Sequence, residues 1–175
     1  MPGPPFLSGD IVDLCPIERD DLEFFRDVMN DPDVRPFFGS VTPLNMAMEE
    51  DWFENRVCAG DDVKLLVCVD GEAVGTISLN DLDSHHGHAE VGYFVAPDHQ
   101  REGYGADALR TATDFAFTQR RLQTVFARVY AFNEASARLL ESVGYERCGT
   151  LPNWGFVDGE YHDAKLFAAT ADDWE

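Results

Sequence analysis

Apolar positions along the chain follow two different periods, which predict helices and strands in turn. Spacings of three and four residues indicate four amphipathic helices, and alternating or continuous apolar runs indicate seven strands. The predicted helices cover residues 18–29, 45–58, 103–119 and 134–143. The predicted strands cover 10–16, 63–69, 72–82, 88–95, 124–131, 145–151 and 161–168. The order β-α-α-β-β-β-α-β-α-β-β predicts a mixed α/β sheet flanked by helices.

Length and segment structure predict one domain over residues 1–175, because no repeat, low-complexity tract or linker divides the chain. The longest uncharged stretch, residues 36–48, contains two prolines and a glycine and is too short to span a bilayer. The first ten residues lack the basic and apolar regions of a secretory signal. We therefore expect a cytoplasmic protein that does not bind a membrane.

The charge balance is strongly acidic and narrows the possible partners. Thirty-three Asp and Glu residues oppose thirteen Lys and Arg residues, which gives a net charge of −20. Such a field repels phosphate backbones, so direct binding to nucleic acid is not expected. Twenty of the acids are Asp and only two of the cations are Lys, a composition that resembles proteins of salt-accumulating halophiles. An acidic surface that attracts polyamines or other cations is the functional alternative.

Cysteine and histidine positions give little sign of metal or redox chemistry. The four cysteines, Cys15, Cys58, Cys68 and Cys148, are far apart in sequence and form no metal-ligand spacing. They are predicted to be small core residues. The tract 85–88 holds three histidines but falls on a predicted hairpin turn, where a solvated turn is the expected interpretation and a metal site the alternative. No metal is predicted.

The first segment with chemical potential runs from the strand ending at Val95 into the helix beginning near Gly103. Glycines at 103 and 105 allow close approach of a ligand to the backbone, and the amides of a helix N-terminus form an anion site. Main-chain amides from Arg101 to Ala106 could therefore hold a diphosphate without a net positive charge. A simple tight turn is the alternative interpretation.

The second segment begins 28 residues after Gly105, at Asn133, and ends at Gly144. Its pattern predicts an amphipathic helix with Asn133 as N-cap and Gly144 just after the last turn. This structural role does not exclude a function for residues of its first turn.

Together the two segments resemble the GCN5-related N-acetyltransferase superfamily. Gln100, Gly103 and Gly105 match its acetyl-CoA motif, Gln/Arg-x-x-Gly-x-Gly/Ala. The closer similarity is to the branch of ribosomal-protein N-terminal acetyltransferases, which shares its pattern with spermidine-type enzymes. That similarity covers nearly the whole chain and includes residues 19–22, 31–35, 89–93, 133–138, 144–145 and 159–163.

The resemblance implies a mostly antiparallel seven-stranded sheet and a binding site for acetyl-CoA as co-substrate. Strand residues 93–95 would splay from a neighbouring strand and pair with the pantetheine arm, and the loop would hold the pyrophosphate. Glu102 departs from the usual basic residue of the motif, and we expect it to point to solvent. The implied cofactor-binding residues are Tyr93, Phe94, Val95, Gln100, Arg101, Glu102, Gly103, Tyr104, Gly105, Ala106, Asn133 and Ser136.

The implied chemistry is direct attack of a neutral amine on the acetyl thioester. Glu90, in the strand beside the thioester, is the candidate base, and an ion pair with a neighbour is the alternative role. Ser136 is the candidate acid, with simple capping of the helix as the alternative. The tyrosine that the superfamily often uses as acid is replaced here by Leu140, and a glutamate of the ribosomal branch falls at or near Gly155.

The predicted function is N-acetylation of a primary amine, most simply a protein or peptide N-terminus, by a monomer or homodimer. A small amine, such as a polyamine, aminoglycoside or amino acid, is the alternative acceptor. A non-catalytic acyl-CoA-binding module is a third hypothesis, supported by Leu140 and Gly155. Five aromatic residues could line the acceptor pocket or simply pack in the core: Trp52, Phe53, Trp154, Phe156 and Tyr161.

Overall fold

In the computed structural model, which describes residues 2–175, eight strands form a sheet covered by four helices. The helices are α1 (Leu22–Asn30), α2 (Met46–Trp52), α3 (Tyr104–Thr118) and α4 (Glu134–Val143). The strands are β1 (Leu7–Ser8), β2 (Asp13–Pro16), β3 (Val63–Val69), β4 (Glu72–Asp83), β5 (His88–Val95), β6 (Thr124–Tyr130), β7 (Glu146–Val157) and β8 (Glu160–Thr170).

Strand order across the sheet is β1-β2-β3-β4-β5-β6-β8-β7. Every neighbouring pair is antiparallel except β5 and β6, which run parallel and are joined by α3. A parallel pair needs such a crossover, whereas the antiparallel pairs can use short turns. The predicted mixed, mostly antiparallel α/β class is confirmed.

The predicted number of seven strands is wrong by one, because β1 adds a two-residue edge strand. Leu7 pairs with Leu14 of β2. Two residues are too few to produce an apolar period, so this strand could not be predicted from the pattern. A second difference is the length of β7, which continues to Val157 rather than ending at residue 151. An irregularity between Leu151 and Gly155 hides this extension from the sequence pattern.

The sheet separates two apolar layers. The larger core lies against α3 and α4 and includes Leu109, Val125 and Leu140, and the smaller core lies against α1 and α2 and includes Phe25 and Leu66. Residues of β3 alternate between them, as the two-residue period of a strand requires. The two faces of β5 therefore point towards different pairs of helices.

The cysteine prediction is correct for two residues and wrong for the other two. Cys15 and Cys68 are buried in the smaller core, whereas Cys58 and Cys148 are exposed. Burial raises the pKa of Cys68 to about 12, which keeps this thiol protonated and unreactive. None of the helices in the described part of the chain is both long and apolar enough to cross a membrane.

A buried carboxylate fixes the N-terminal segment beside α3. Asp107 accepts hydrogen bonds from the main-chain amides of Asp10, Ile11 and Val12 at 3.1, 2.8 and 3.0 Å. Gly9 lies so close that a Cβ there would be 2.4 Å from a carboxylate oxygen of Asp107. The contact connects the β1–β2 turn to the first turn of the helix that follows the glycine loop.

We expect Asp107→Asn to lower the free energy of unfolding by about 2–4 kcal/mol, because it weakens hydrogen bonds from three amides to a buried charge. Urea denaturation measures the change. Glu141→Gln, at an exposed position of α4, is the control and should change stability by less than about 0.5 kcal/mol. Equal stability of the two variants would contradict the role assigned to Asp107.

Candidate active site

Strands β5 and β6 separate from each other partway along their length. Their ladder has three rungs, from His88 opposite Thr124 to Glu90 opposite Phe126. Both strands continue beyond this point, β5 to Val95 and β6 to Tyr130. From residue 91 onward this edge of β5 has no strand partner in the described chain, so its backbone groups can pair with an extended ligand.

The loop between β5 and α3 presents a row of main-chain amides. Arg101 and Gly103 have φ angles of 70° and 85°, which turn the backbone tightly before the helix begins. Within residues 2–175, no group accepts a hydrogen bond from the amides of residues 101–106. Glu102 is exposed, in agreement with the expectation that it points to solvent. The loop and helix N-terminus thus form a site suited to a diphosphate.

Gly105 serves helix packing as well as the loop. A Cβ at this position would lie 2.9 Å from Cδ1 of Leu139, so the glycine allows α3 to approach α4 closely. A bulky substitution there would push the helices apart. Weaker ligand binding by such a variant could then result from unfolding rather than from a change in the binding site. Gly103 is the better position for a test because a Cβ there would be 3.4 Å from its nearest neighbour, Ile11.

Two other predicted cofactor-binding residues make local contacts. The side-chain amide of Gln100 donates to the carbonyl of Val95 at 3.0 Å and closes the loop on the end of β5. Asn133 accepts from the amide of Ser136 at 3.1 Å, so its predicted role as N-cap of α4 is confirmed. Direct contact of either residue with acetyl-CoA stays a prediction.

A pair of hydroxyl groups lies where α4 meets β5. Oη of Tyr93 is 2.8 Å from Oγ of Ser136. Burial raises the pKa of Tyr93 to about 12, although the hydrogen bond with Ser136 acts in the opposite direction. Leu140, where the superfamily often has tyrosine, is fully buried in the larger core. The phenol at this site therefore comes from β5 rather than from α4, which sequence reasoning missed.

Glu90 lies on the opposite face of β5, at the last rung before the strands separate. Its Oε1 accepts from Nε of Arg128 at 2.6 Å, and its Oε2 accepts from a second guanidinium nitrogen. This contact raises the pKa of Arg128 above its usual value. The guanidinium also lies 4.6 Å from the ring centre of Trp154. The ion pair agrees with the alternative role given to Glu90, and its role as base stays a prediction.

Aromatic side chains surround this face of the sheet. Phe94 of β5 contacts Phe24 at 6.0 Å between ring centres and Phe38 at 5.6 Å. The five aromatics predicted for the acceptor pocket are divided by the structure between two environments. Trp52 and Phe53 pack with the smaller core, whereas Trp154, Phe156 and Tyr161 are exposed on the β7–β8 hairpin.

The position where the ribosomal branch carries a glutamate has no room for a side chain. A Cβ at Gly155 would lie 2.4 Å from Oη of Tyr130. The same hydroxyl would be 2.4 Å from a Cβ at Gly39, in the loop after α1. Tyr130 therefore bridges the loop and the hairpin, and it occupies the space that a glutamate would need.

We expect Gly155→Ala to lower the free energy of unfolding by about 1–3 kcal/mol, because the new methyl group must displace the Tyr130 phenol. Thermal or urea unfolding measures it. Gly149→Ala is the matched control in the same strand, where a Cβ would make an ordinary 3.5 Å contact with Leu166. The loss should shrink in a Tyr130→Ala background, and additive effects would contradict the explanation.

The histidine tract forms the β4–β5 turn. Nδ1 of His86 is 2.7 Å from Oδ2 of Asp83, and the amides of His85 and His86 also donate to Asp83. These contacts, led by the His86 amide, lower the pKa of Asp83 to about 2. Within the described residues no group of three or more His, Cys, Asp or Glu side chains is placed to hold a metal ion.

The sequence that builds the split parallel pair and the amide-rich loop also matches a known family. Residues 12–146 match the sequence model of the acetyltransferase (GNAT) domain. The chain belongs to the GNAT acetyltransferase family. It is accordingly an acetyl-CoA-dependent N-acetyltransferase, with acetyl-CoA as the co-substrate.

Individual members of the GNAT family show how far the likeness extends. Spermidine N(1)-acetyltransferase of Escherichia coli K12 is 26% identical over 158 residues, which covers 90% of this chain and 84% of that protein. The uncharacterized N-acetyltransferase YoaA of Bacillus subtilis is 31% identical over 97 residues, 55% of each protein. These relatives do not show that the chain belongs to the ribosomal-protein branch predicted from the sequence.

Solved structures confirm the GNAT fold. Spermidine N-acetyltransferase from Vibrio cholerae in complex with CoA and spermine has a TM-score of 0.87 to this chain at 22% identity. The superposition covers 93% of this chain and 96% of that one. At this identity the comparison establishes the fold alone.

Proposed function

We propose that this GNAT domain, residues 1–175, acetylates a small cationic primary amine of the polyamine class. The observation that carries the acetyl-transfer part is the open edge of β5 next to the unpaired amides of residues 101–106. Two features favour a small cation over the protein N-terminus predicted first. The relatives above include spermidine acetyltransferases, and the net charge of −20 attracts a polycation.

Glu90 and the Tyr93–Ser136 pair can divide the proton transfers of this reaction. Side chains three residues apart on a strand point to opposite faces, so Glu90 and Tyr93 are on opposite sides of β5. Glu90 faces the aromatic side formed with α1, where an acceptor can enter, and serves as base. The hydroxyl pair faces α4 and supplies a proton to the departing thiolate. Both roles lie within reach of the gap between β5 and β6.

Glu49 adds a second carboxylate on the side of the sheet covered by α1 and α2. Only 5% of this residue is exposed, and burial raises the pKa of its carboxyl group. A buried carboxylate gains from a cationic ligand that replaces its lost hydration.

The direct test is release of CoA thiol from acetyl-CoA with a panel of amines. Spermidine and spermine should be acetylated with higher kcat/KM than a peptide with a free N-terminus or an amino acid. A preference for the peptide would restore the first prediction. Binding of acetyl-CoA with no turnover of any amine would favour the non-catalytic module instead.

We also infer that the acidic surface is adapted to concentrated salt. Repulsion among the charges that sum to −20 acts over about 10 Å at 0.1 M salt and about 3 Å at 1 M. The melting temperature should therefore rise as KCl increases from 0.1 to about 2 M, as measured by scanning calorimetry. A flat or falling melting temperature would contradict adaptation to salt, and attraction of polycations would then remain as the role of the acidic surface.

A further inference from the structure

The Arg128 guanidinium lies between a carboxylate and an aromatic ring, two groups that also bind ammonium ions. Its guanidinium contacts the Glu90 carboxylate at 2.6 Å on one side and the Trp154 ring at 4.6 Å on another. A carboxylate combined with an aromatic face is an arrangement that binds alkylammonium groups as well as guanidinium. The side chain of Glu90 is only 13% exposed, so the charge is held in a partly desolvated position.

This place coincides with the opening between the two strands. Glu90 pairs with Phe126 in the last rung of the β5–β6 ladder. Arg128 follows Phe126 by two residues and so projects from the same face of the sheet. The cation therefore lies where the strands begin to separate, next to the edge of β5 on which acetyl-CoA is expected.

Trp154 is placed by a distortion of the hairpin. The pairing of β7 with β8 is interrupted between Leu151 and Gly155. Within this interruption Asn153 has a φ of 49°, and its amide donates to Oδ1 of Asp163 at 2.8 Å. Asparagine tolerates this left-handed conformation, and the hydrogen bond to Asp163 holds the backbone in it. The indole position is thus built into the fold.

Arg128 has a second counter-charge available if it leaves Glu90. Asp81, an exposed residue near the end of β4, acts electrostatically on the guanidinium and also raises the pKa of Arg128. The Arg128 side chain is 32% exposed, so it can move without unpacking a core. Exchange of its carboxylate partner is therefore possible within the folded protein.

We propose that Glu90 and Trp154 form the binding site for the ammonium group of the acceptor, and that Arg128 fills this site until the acceptor displaces it. This inference rests on the proposed function and deepens it. A primary alkylammonium has the charge and size to replace the guanidinium between the carboxylate and the indole. An acceptor with a carboxylate beside its amine would be attracted to Arg128 instead, so the site favours cationic amines without such a group.

Displacement also frees Glu90 for proton transfer. The bound ammonium gives one proton to the Glu90 carboxylate, which passes it to water. The nitrogen lone pair then forms the C–N bond while the C–S bond of acetyl-CoA breaks. The sulfur electron pair takes a proton from the Tyr93–Ser136 pair, which is replenished by the second proton of the nitrogen. The products are the acetamide, CoA thiol and one proton.

The test compares Arg128→Met with wild type in spermidine acetylation and in calorimetric binding of spermidine without acetyl-CoA. The methionine keeps an apolar stem against Trp154 and removes the competing charge. We expect KM and Kd for spermidine to fall about tenfold, since one competing ion pair is removed. Arg19→Met is the matched control, because Arg19 also pairs with a carboxylate, Glu54, and lies over a ring, Phe53.

A second variant covers the case in which Arg128→Met does not fold. Asp81→Asn removes the alternative partner, and asparagine tolerates the φ of 48° at this position. It should raise KM for spermidine several-fold. An unchanged or raised Kd in Arg128→Met, or an unchanged KM in Asp81→Asn, would overturn the inference. Absence of turnover in wild type together with tighter spermidine binding by Arg128→Met would refute the proposed function alone.

Discussion

Replacement of Gly103 by valine is expected to weaken acetyl-CoA binding by about 30-fold or more. Gly103 has a φ of 85°, a conformation that a β-branched residue rarely adopts, so the loop must rearrange. Rearrangement moves the amides of residues 101–106 away from a common anion. Loss of one charge-assisted hydrogen bond costs about 1.5–3 kcal/mol, and about 1.4 kcal/mol corresponds to tenfold in affinity. Titration calorimetry with acetyl-CoA measures the change.

Gly71→Val provides the matched control for this prediction. Gly71 has a φ of 78° in the β3–β4 turn, and a Cβ there would meet no atom within 4 Å. Both variants should lose about 1–3 kcal/mol of stability from backbone strain. Only the Gly103 variant should lose affinity for acetyl-CoA. Equal affinities in the two variants would mean that the loop does not hold the diphosphate.

The sequence predicted the elements that depend on local pattern and missed those that depend on distant contacts. Helix α4 was placed at its observed limits, because Asn133 and Gly144 supply cap chemistry that is local in sequence. Strand β1 was missed because it is short and held partly through Asp107, which is about a hundred residues away. The extension of β7 was missed because its bulge interrupts the alternation.

The main-chain features of the candidate site were predicted better than its side-chain contacts. The separation of β5 from β6 agrees with what the family resemblance implied, and the amide-rich loop agrees with the interpretation of Gly103 and Gly105. Binding of acetyl-CoA by these groups stays a prediction. Side-chain partners were harder to predict, because they depend on which strands become neighbours. Strand alternation could have placed Arg128 on the Glu90 face, but only once the parallel pairing of β5 with β6 was known.

The departures from the family pattern at two positions share a physical explanation. Leu140 belongs to the larger core, and Gly155 accommodates the Tyr130 hydroxyl. Neither position can contribute a polar group without rearrangement. Taken alone, they suggested a non-catalytic module. Tyr93 of β5 places a phenol beside Ser136, and the acid role proposed for this pair would make the two departures compatible with catalysis.

Removal of the hydroxyl pair is expected to have the largest effect on turnover. Ser136→Ala should lower kcat about 100-fold, the lower end of the range for general acid catalysis, and Tyr93→Phe at least about tenfold, because the serine remains. KM for acetyl-CoA should change little, because the loop amides remain. The double variant should be no slower than the more damaging single variant, since the two hydroxyls act as one unit.

The chain contains a close structural match for the control. Tyr145 lies 2.7 Å from Oγ1 of Thr113, and burial raises its pKa as it does for Tyr93. Tyr145→Phe therefore removes a phenol from a second tyrosine–hydroxyl pair of the same core, one that is more deeply buried than the Tyr93–Ser136 pair. It should lower stability by about 1 kcal/mol and leave kcat unchanged. Similar kcat values for the Tyr93 and Tyr145 variants would contradict a catalytic role for the Tyr93 phenol.

The pH dependence of wild type tests whether Tyr93 keeps its proton at the pH where acceptor amines become neutral. The pKa of Tyr93 is raised to about 12 from an ordinary value near 10, so the folded protein retains a proton that the unfolded chain loses first. Its contribution to stability is thus complete below pH 10 and is lost as the pH rises through 12. Turnover should show no loss from Tyr93 ionisation at pH 9–10, where acceptor amines are increasingly neutral. A fall in kcat over that range that Tyr93→Phe abolishes would show that the phenol loses its proton well below pH 12, which would contradict the raised pKa while supporting a need for the protonated phenol.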